Sequence, residues 1–184
     1  MKTVDYFIEE LKYKKSFILA IDGMCAAGKS TLAQRLEKEL DCLVFHMDDF
    51  YLPIEKRTQE RLSQPGGNVD YERFEATVLK PLSLQQDIFY QPFNCSQMKL
   101  SQAIQISYHP RIIIEGSYSL RPELVKYYSD QVALQVSTDL QIKRLKERNP
   151  HKLNDFITKW IPLENQYFEY FHIFEQYPTI FIAE

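Results

Sequence analysis

The sequence predicts an α/β fold: a five-stranded parallel sheet with helices packed on both of its faces. Three observations carry the prediction. Apolar runs recur at "SFILAID" (16–22), "CLVFHM" (42–47), "RIIIEG" (111–116), "QVALQVS" (131–137) and "TIFIAE" (179–184). Each is apolar through its middle instead of alternating, as strands buried on both faces are. Segments with apolar residues three and four apart separate the runs, so strands and helices alternate. The makeup of the 184 residues, 45% hydrophobic and 26% charged, is that of a globular chain able to bury about 70% of its unfolded surface. One domain covering 1–184 is expected.

Taken in order, Val4, Phe7, Ile8 and Leu11 recur at helical spacing and predict an amphipathic helix over 3–14. The first strand, 16–22, ends at Gly23. From Lys29 onward, Leu32, Leu36 and Leu40 lie four apart with charges between them, a helix packing one face. The second strand, 42–47, runs into the acidic, aromatic "DDFYLP". Residues 53–70 are polar, with Pro65-Gly66-Gly67, and predict a loop. Residues 71–88 predict a helix that Pro81 should break or restart. The stretch 89–110 reads as irregular or as short strand pieces. The third strand, 111–116, is bounded by Pro110 and Gly116. After the fourth, 131–137, "DLQIKRLKERN" predicts a helix. Residues 153–175 form an aromatic-rich helical region interrupted or restarted at Pro162, and 179–184 supply the fifth strand.

A net charge of −3 argues against a nucleic-acid surface built on a basic field. Cys25, Cys42 and Cys95 form no CxxC pair, so neither a disulfide framework nor a zinc site is expected. His46, His109, His151 and His172 have no metal-ligand spacing. No run approaches 18 apolar residues, which predicts no membrane span. The charge-studded first sixteen residues are unlike a secretory leader. A cytoplasmic protein with a small-molecule substrate is the expectation, and homo-oligomerisation stays open.

Two of only five glycines fall in "GMCAAGKST" (23–31). Gly23 to Ser30 matches G-x-x-x-x-G-K-[ST], the phosphate-binding loop, and it follows a buried strand and opens a helix, as that loop must. Gly23, Ala26, Ala27, Gly28, Lys29, Ser30 and Thr31 are the predicted nucleotide-binding set. Loop amides and the positive end of the helix would cradle phosphate oxygens. Lys29 would reach the β- and γ-phosphates, and Ser30 would hold Mg²⁺. ATP and Mg²⁺ are the expected cofactors.

Glu115 ends the third predicted strand, where a carboxylate could hold Mg²⁺ or a magnesium-bound water; the alternative is a surface glutamate. Asp48 and Asp49 end the second, and parallel sheets bind ligands beyond the carboxyl ends of their strands. One of the pair could orient and deprotonate an acceptor hydroxyl, with Asp48 also a candidate metal ligand; the alternative is a capping or solvated pair. Arg144, Lys146, Arg148, His151 and Lys152 cluster on and after one helix. Such groups can offset charge on a transferring phosphoryl group, although a helix face of this kind is more often simply solvated. Trp160, Tyr167, Phe168, Tyr170, Phe171 and Phe174 read as core.

Together these segments resemble the uridine kinase and phosphoribulokinase group of P-loop kinases, in particular the short bacterial uridine kinase-like proteins. The resemblance runs through "AIDGMCAAGKSTLA", "MDDFYLP", "GGNVDYERF", "IIIEGSYSL", "RLKERN" and "WIPLENQYF". It implies a P-loop NTPase fold with a five-stranded parallel sheet and a mobile lid at about 144–160. It implies that Asp48 is the catalytic base, that Tyr51 lies near the acceptor's base and that Asp70 binds ribose hydroxyls. It further implies that Glu115 is magnesium-associated and that Arg144 or Arg148 is a lid arginine. The sequence departs from established uridine kinases at "PFNCSQ", which lacks their pyrimidine-reading histidine, and at "NVDYE" in place of "NFDHP".

The function expected is an ATP- and Mg²⁺-dependent kinase for a hydroxyl of a small metabolite, a nucleoside such as uridine first, pantothenate or a sugar-like acceptor second. A nucleotide-binding ATPase without a small-molecule acceptor is the alternative. No Asn-Lys-x-Asp motif points to a GTPase and no Leu-Ser-Gly-Gly to a transporter ATPase. Acceptor specificity is expected to reside in 85–110.

Overall fold

The computed structural model describes residues 4–182. Its main sheet has five parallel strands: β1 (Phe17–Gly23), β2 (Leu43–His46), β3 (Arg111–Glu115), β4 (Asp130–Val136) and β5 (Thr179–Ile182), in the spatial order β2-β3-β1-β4-β5. The register sets Ile21 beside Glu115, Gly23 beside Leu134 and His46 beside Glu115. The carboxyl ends of β1, β2, β3 and β4 are therefore level along one edge, and the loops leaving them share one space.

Side-chain alternation splits the core in two, as the apolar runs require. On one face Leu19, Ile21, Ile113, Val132 and Leu134 pack against α1 (Val4–Lys12) and α2 (Lys29–Leu40). On the other, Ala20, Ile112, Ile114 and Ala133 meet Phe74, Val78 and Leu79 from α3 (71–83) and Tyr167 and Phe168 from α5 (153–170). Helix α4 (Thr138–Arg148) follows β4, its first turn capped by the Ser137 hydroxyl. The first helix is described from Val4 and the last strand to Ile182; Thr3, Ala183 and Glu184, also included in those two predicted segments, lie outside the described residues. No helix among the described residues is long and apolar enough to cross a membrane.

At both prolines the α-helix restarts, as the sequence expectation allowed, and the chain stays helical across the restart for a local reason. In α3 a π-helical turn, Glu75–Leu79, immediately precedes the Lys80–Ser83 segment that contains Pro81. In α5 another, Phe156–Trp160, precedes Ile161–Tyr170, which contains Pro162. Proline lacks an N–H and its ring collides with the carbonyl four residues back in an α-helix; the wider π turn removes both demands. The residue four before each proline is a threonine that bonds back one turn, Thr77 to the Arg73 carbonyl and Thr158 to that of Asn154, both at 2.8 Å.

The predicted loop at 53–70 contains a short helix, Gln59–Ser63, started by the Thr58 side chain. The 89–110 stretch forms two short antiparallel ladders, Ile88–Tyr90 with Ile104–Ile106 and Phe93–Asn94 with Lys99–Leu100.

One buried carboxylate joins these layers. Asp22, 0% exposed, accepts hydrogen bonds from the amides of Gly23 (2.6 Å), Tyr118 (3.1 Å) and Leu120 (2.8 Å), and from the Tyr167 hydroxyl (2.8 Å). Tyr167→Phe keeps the ring and removes one of the four donors. A hydrogen bond to a charged group contributes about 2 kcal/mol, so the variant is expected to unfold at lower urea with that loss and an unchanged m-value.

Candidate active site

The phosphate-loop segment leaves β1 at Gly23, whose φ of 132° and distance of 2.1 Å from a built Cβ to the Leu134 carbonyl oxygen admit no side chain. Ala26 (φ 60°) and Gly28 (φ 98°) take left-handed conformations that curl the loop back on itself. Helix α2 then starts at Lys29 without a side-chain cap, leaving its first N–H donors open to an anion. The Lys29 ammonium donates to the carbonyls of Gly23 (2.7 Å) and Met24 (3.0 Å) and to the Ser117 hydroxyl (3.2 Å).

Facing the loop are the ends of β2 and β3. The Ser30 hydroxyl lies 3.2 and 3.3 Å from the two carboxylate oxygens of the buried Glu115. His46, at the end of β2, also bonds Glu115, and this contact raises the imidazole pKa above its ordinary value against the opposing effect of partial burial. Asp48 is the second residue of the turn after β2, Met47–Phe50, and opens to the cleft. The walls crowding it desolvate its carboxylate, and Glu115, Glu164 and Asp49 add negative charge; these raise its pKa against the pull of Lys29.

Lys29, Ser30, Asp48, Glu115, Ser117 and Glu164 line a cleft of about 960 Å³. Its phosphate-loop side holds Ala26, Ala27, Gly28, Lys29, Ser30 and Thr31. Arg144, Arg148 and Lys152 reach it at four-residue spacing, and Arg144 also donates to the Ala26 carbonyl at 3.1 Å. The opposite side is aromatic: Tyr51, Tyr118 and Trp160, with Asn68 and Cys95. Tyr51 and Trp160 meet nearly edge to face at 5.9 Å, and the Arg57 guanidinium lies over the Tyr51 ring, 4.6 Å from its centroid.

No protein-family model matches the chain. A 63-residue stretch is 38% identical to human nicotinamide riboside kinase 1, covering 34% of this chain and 30% of that protein's length. Among solved structures, a protein of Bacillus stearothermophilus named a possible uridine kinase superposes with a TM-score of 0.73 at 20% identity, over 97% of both chains. One of Silicibacter sp. TM1040, provisionally named a fructose transport system kinase, gives 0.62 at 19% identity over 90% of this chain and 88% of that one. The chain has the P-loop kinase fold. What that fold holds at the carboxyl ends of its strands is the arrangement just described.

Two residues expected at the acceptor lie elsewhere. Asp70, 0% exposed, is not among the cleft residues. It caps α3 through the Arg73 amide, bonds Lys56 with both oxygens at 3.0 Å and faces the Arg73 guanidinium at 3.5 Å. Its carboxylate is committed to the fold, which corrects the expectation that it meets ribose hydroxyls. Asp49 is likewise absent from the cleft wall and accepts the Tyr90 hydroxyl at 2.7 Å.

Conversely, Trp160, read from sequence as core, is a cleft wall. Asp22, Ser117, Gln141 and Glu164 escaped sequence reasoning altogether. Gln141, 1% exposed, donates to the Cys25 carbonyl at 3.0 Å. The one available signal was placement: polar residues beside the phosphate-loop glycine and beside Glu115-Gly116.

Asp70→Ala would strand the largely buried Arg73 guanidinium, and breaking such a pair costs about 3 kcal/mol. Denaturant unfolding should show that loss. An unchanged midpoint with a raised acceptor KM would instead return Asp70 to substrate binding.

Proposed function

We propose that this chain is an ATP- and Mg²⁺-dependent kinase that transfers a phosphoryl group to a hydroxyl of a small acceptor carrying a ring, a nucleoside being the first candidate. The observation that carries the reading is Asp48, a cleft-facing carboxylate of raised pKa set against the Lys29 side of an uncapped phosphate loop. A phosphate-binding loop alone would serve any nucleotide-dependent device; a base facing it across one cleft is what phosphoryl transfer to a hydroxyl requires.

In this reading the loop amides and Lys29 hold the triphosphate. Arg144 and Arg148 close over it as part of a lid at about 144–160 and offset charge on the transferring group. Asp48 orients the acceptor hydroxyl and takes its proton as the oxygen attacks phosphorus; Asp49 is already engaged by Tyr90. Tyr51 and Trp160, packed together, offer the acceptor ring one aromatic wall, which favours a nucleoside over an open-chain acceptor such as pantothenate. The name of the partial sequence match, a nucleoside kinase, supports the same choice.

Ser30 and Glu115 offer hard oxygen donors close together. Among the described residues no cluster of three or more His, Cys, Asp or Glu forms a cage by itself. That suits Mg²⁺, which takes one or two protein ligands along with substrate phosphates. The ion would neutralise charge on the phosphate oxygens.

Purified protein with MgATP and a panel of nucleosides, pantothenate and small sugars should show acceptor-dependent ATP consumption. Asp48→Asn should lower kcat by roughly 10²–10⁴-fold with nucleotide binding kept. Asp48 works only deprotonated, and its pKa is raised by desolvation. The acid limb of the kcat/KM profile should therefore lie above the ordinary aspartate value near 3.8, with activity lost as pH falls through it. Equal turnover in the variant, or ATP hydrolysis indifferent to every acceptor, would contradict the reading.

A further inference from the structure

Glu164 projects from α5 toward the phosphate loop and is 6% exposed. One carboxylate oxygen accepts the Cys25 amide at 2.8 Å, and the other accepts the Ser117 hydroxyl at 2.6 Å. The Ser117 oxygen in turn accepts from the Lys29 ammonium at 3.2 Å. A single side chain thus touches the loop directly and the loop's lysine through one hydroxyl. We infer that Glu164 is a positioning residue: it sets the loop's curl at Cys25 and, acting through Ser117, aims Lys29 at the phosphates.

The placement on α5 supports this. Trp160, Glu164 and Tyr167 stand at i, i+4 and i+7, one helix face. They reach, in turn, the aromatic side of the cleft, the phosphate loop and Asp22. The helix that walls the aromatic side also holds the loop, so the two halves of the cleft share one rigid support.

Charge makes the inference sharp. A carboxylate beside a phosphate cradle repels the incoming anion, so if Glu164 acted by charge alone, removing it would tighten nucleotide binding. Positioning predicts the opposite sign. Glutamine separates the two roles. In Glu164→Gln the amide oxygen can accept from Cys25 and the amide nitrogen can donate to Ser117, whose own proton then turns to the Gly23 carbonyl 3.4 Å away. The scaffold survives while the charge is gone.

The inference rests on the reading that the loop binds a nucleotide's phosphates, and its test measures MgATP affinity, not turnover. Calorimetric titration of wild type, Glu164→Gln, Glu164→Ala, Ser117→Ala and the double alanine variant, each with its melting curve, decides it. Glu164→Ala is expected to bind MgATP about tenfold or more weakly and Glu164→Gln to stay within about threefold of wild type. Because both residues act through one chain of contacts, the double variant should be no weaker than Glu164→Ala within about twofold. Wild-type or tighter binding by Glu164→Ala would overturn the inference, as would losses that multiply in the double variant. Should Glu164→Ala fail to fold, Ser117→Ala decides: weaker binding supports the relay, and wild-type affinity refutes it. Wild type that binds MgATP but phosphorylates no acceptor would count against the kinase reading and leave these affinities to judge Glu164. Wild type that does not bind MgATP would overturn both.

Discussion

The carboxylate of Asp22 is the constraint on which the rest of the site depends. Where the strands of a parallel sheet end, the backbone ladder ends too, and the chain must turn away with its amides unpaired. Here two such departures, the phosphate loop after β1 and the 116–120 turn after β3, must stay side by side with no ladder between them. Asp22 substitutes for that ladder. Its two oxygens take one amide from its own strand end, two from the neighbouring turn and the hydroxyl of Tyr167 from the covering helix. Burial raises its pKa to about 6 against the pull of the Leu120, Tyr167 and Gly23 donors and of the Lys29 charge, so it is charged at neutral pH.

From that tie the geometry of the cleft follows. With the β3 turn fixed against β1, Ser117 stands beside Lys29, and Glu115 beside Ser30. With Tyr167 fixed to Asp22, the preceding turn of α5 sets Glu164 on the loop, and the turn before it sets Trp160 against Tyr51. Fold and site are therefore not separate layers of this molecule. The interactions that hold α5 on the sheet also shape the cleft.

What the sequence made legible were features whose cause is local. The phosphate loop announces itself because Gly23 and Gly28 take backbone conformations other residues avoid, and because Lys29-Ser30 follow at fixed spacing. The strands were legible because burial on both faces demands apolar residues at every position. Asp48 and Glu115 could be found because they sit at strand ends. Asp22 and Glu164 could not: apart from the adjacent Gly23 amide, their partners are 96 to 145 residues away for Asp22, and 47 and 139 for Glu164, and no local pattern encodes such pairings. Asp70 misled for the same reason, since Lys56 and Arg73 claim it only once the chain has folded. The prolines were legible as restarts, but the π turn that makes each restart was not. Pro81 and Pro162 obey the rule that proline cannot sit in a regular helix, and the helices changed pitch instead of stopping.

The claim that Asp22 holds the strand ends together is tested most directly by backbone hydrogen exchange on wild type and Asp22→Asn. Asparagine has the same shape, but one of its two terminal atoms donates, which sets an N–H against the amide of Leu120 or of Tyr118. Losing such a bond at a local opening corresponds to about tenfold or more in exchange rate. The account predicts that acceleration at Tyr118 or Leu120, with the interior amides of α2 exchanging as in wild type. Unchanged protection at both turn amides would contradict it.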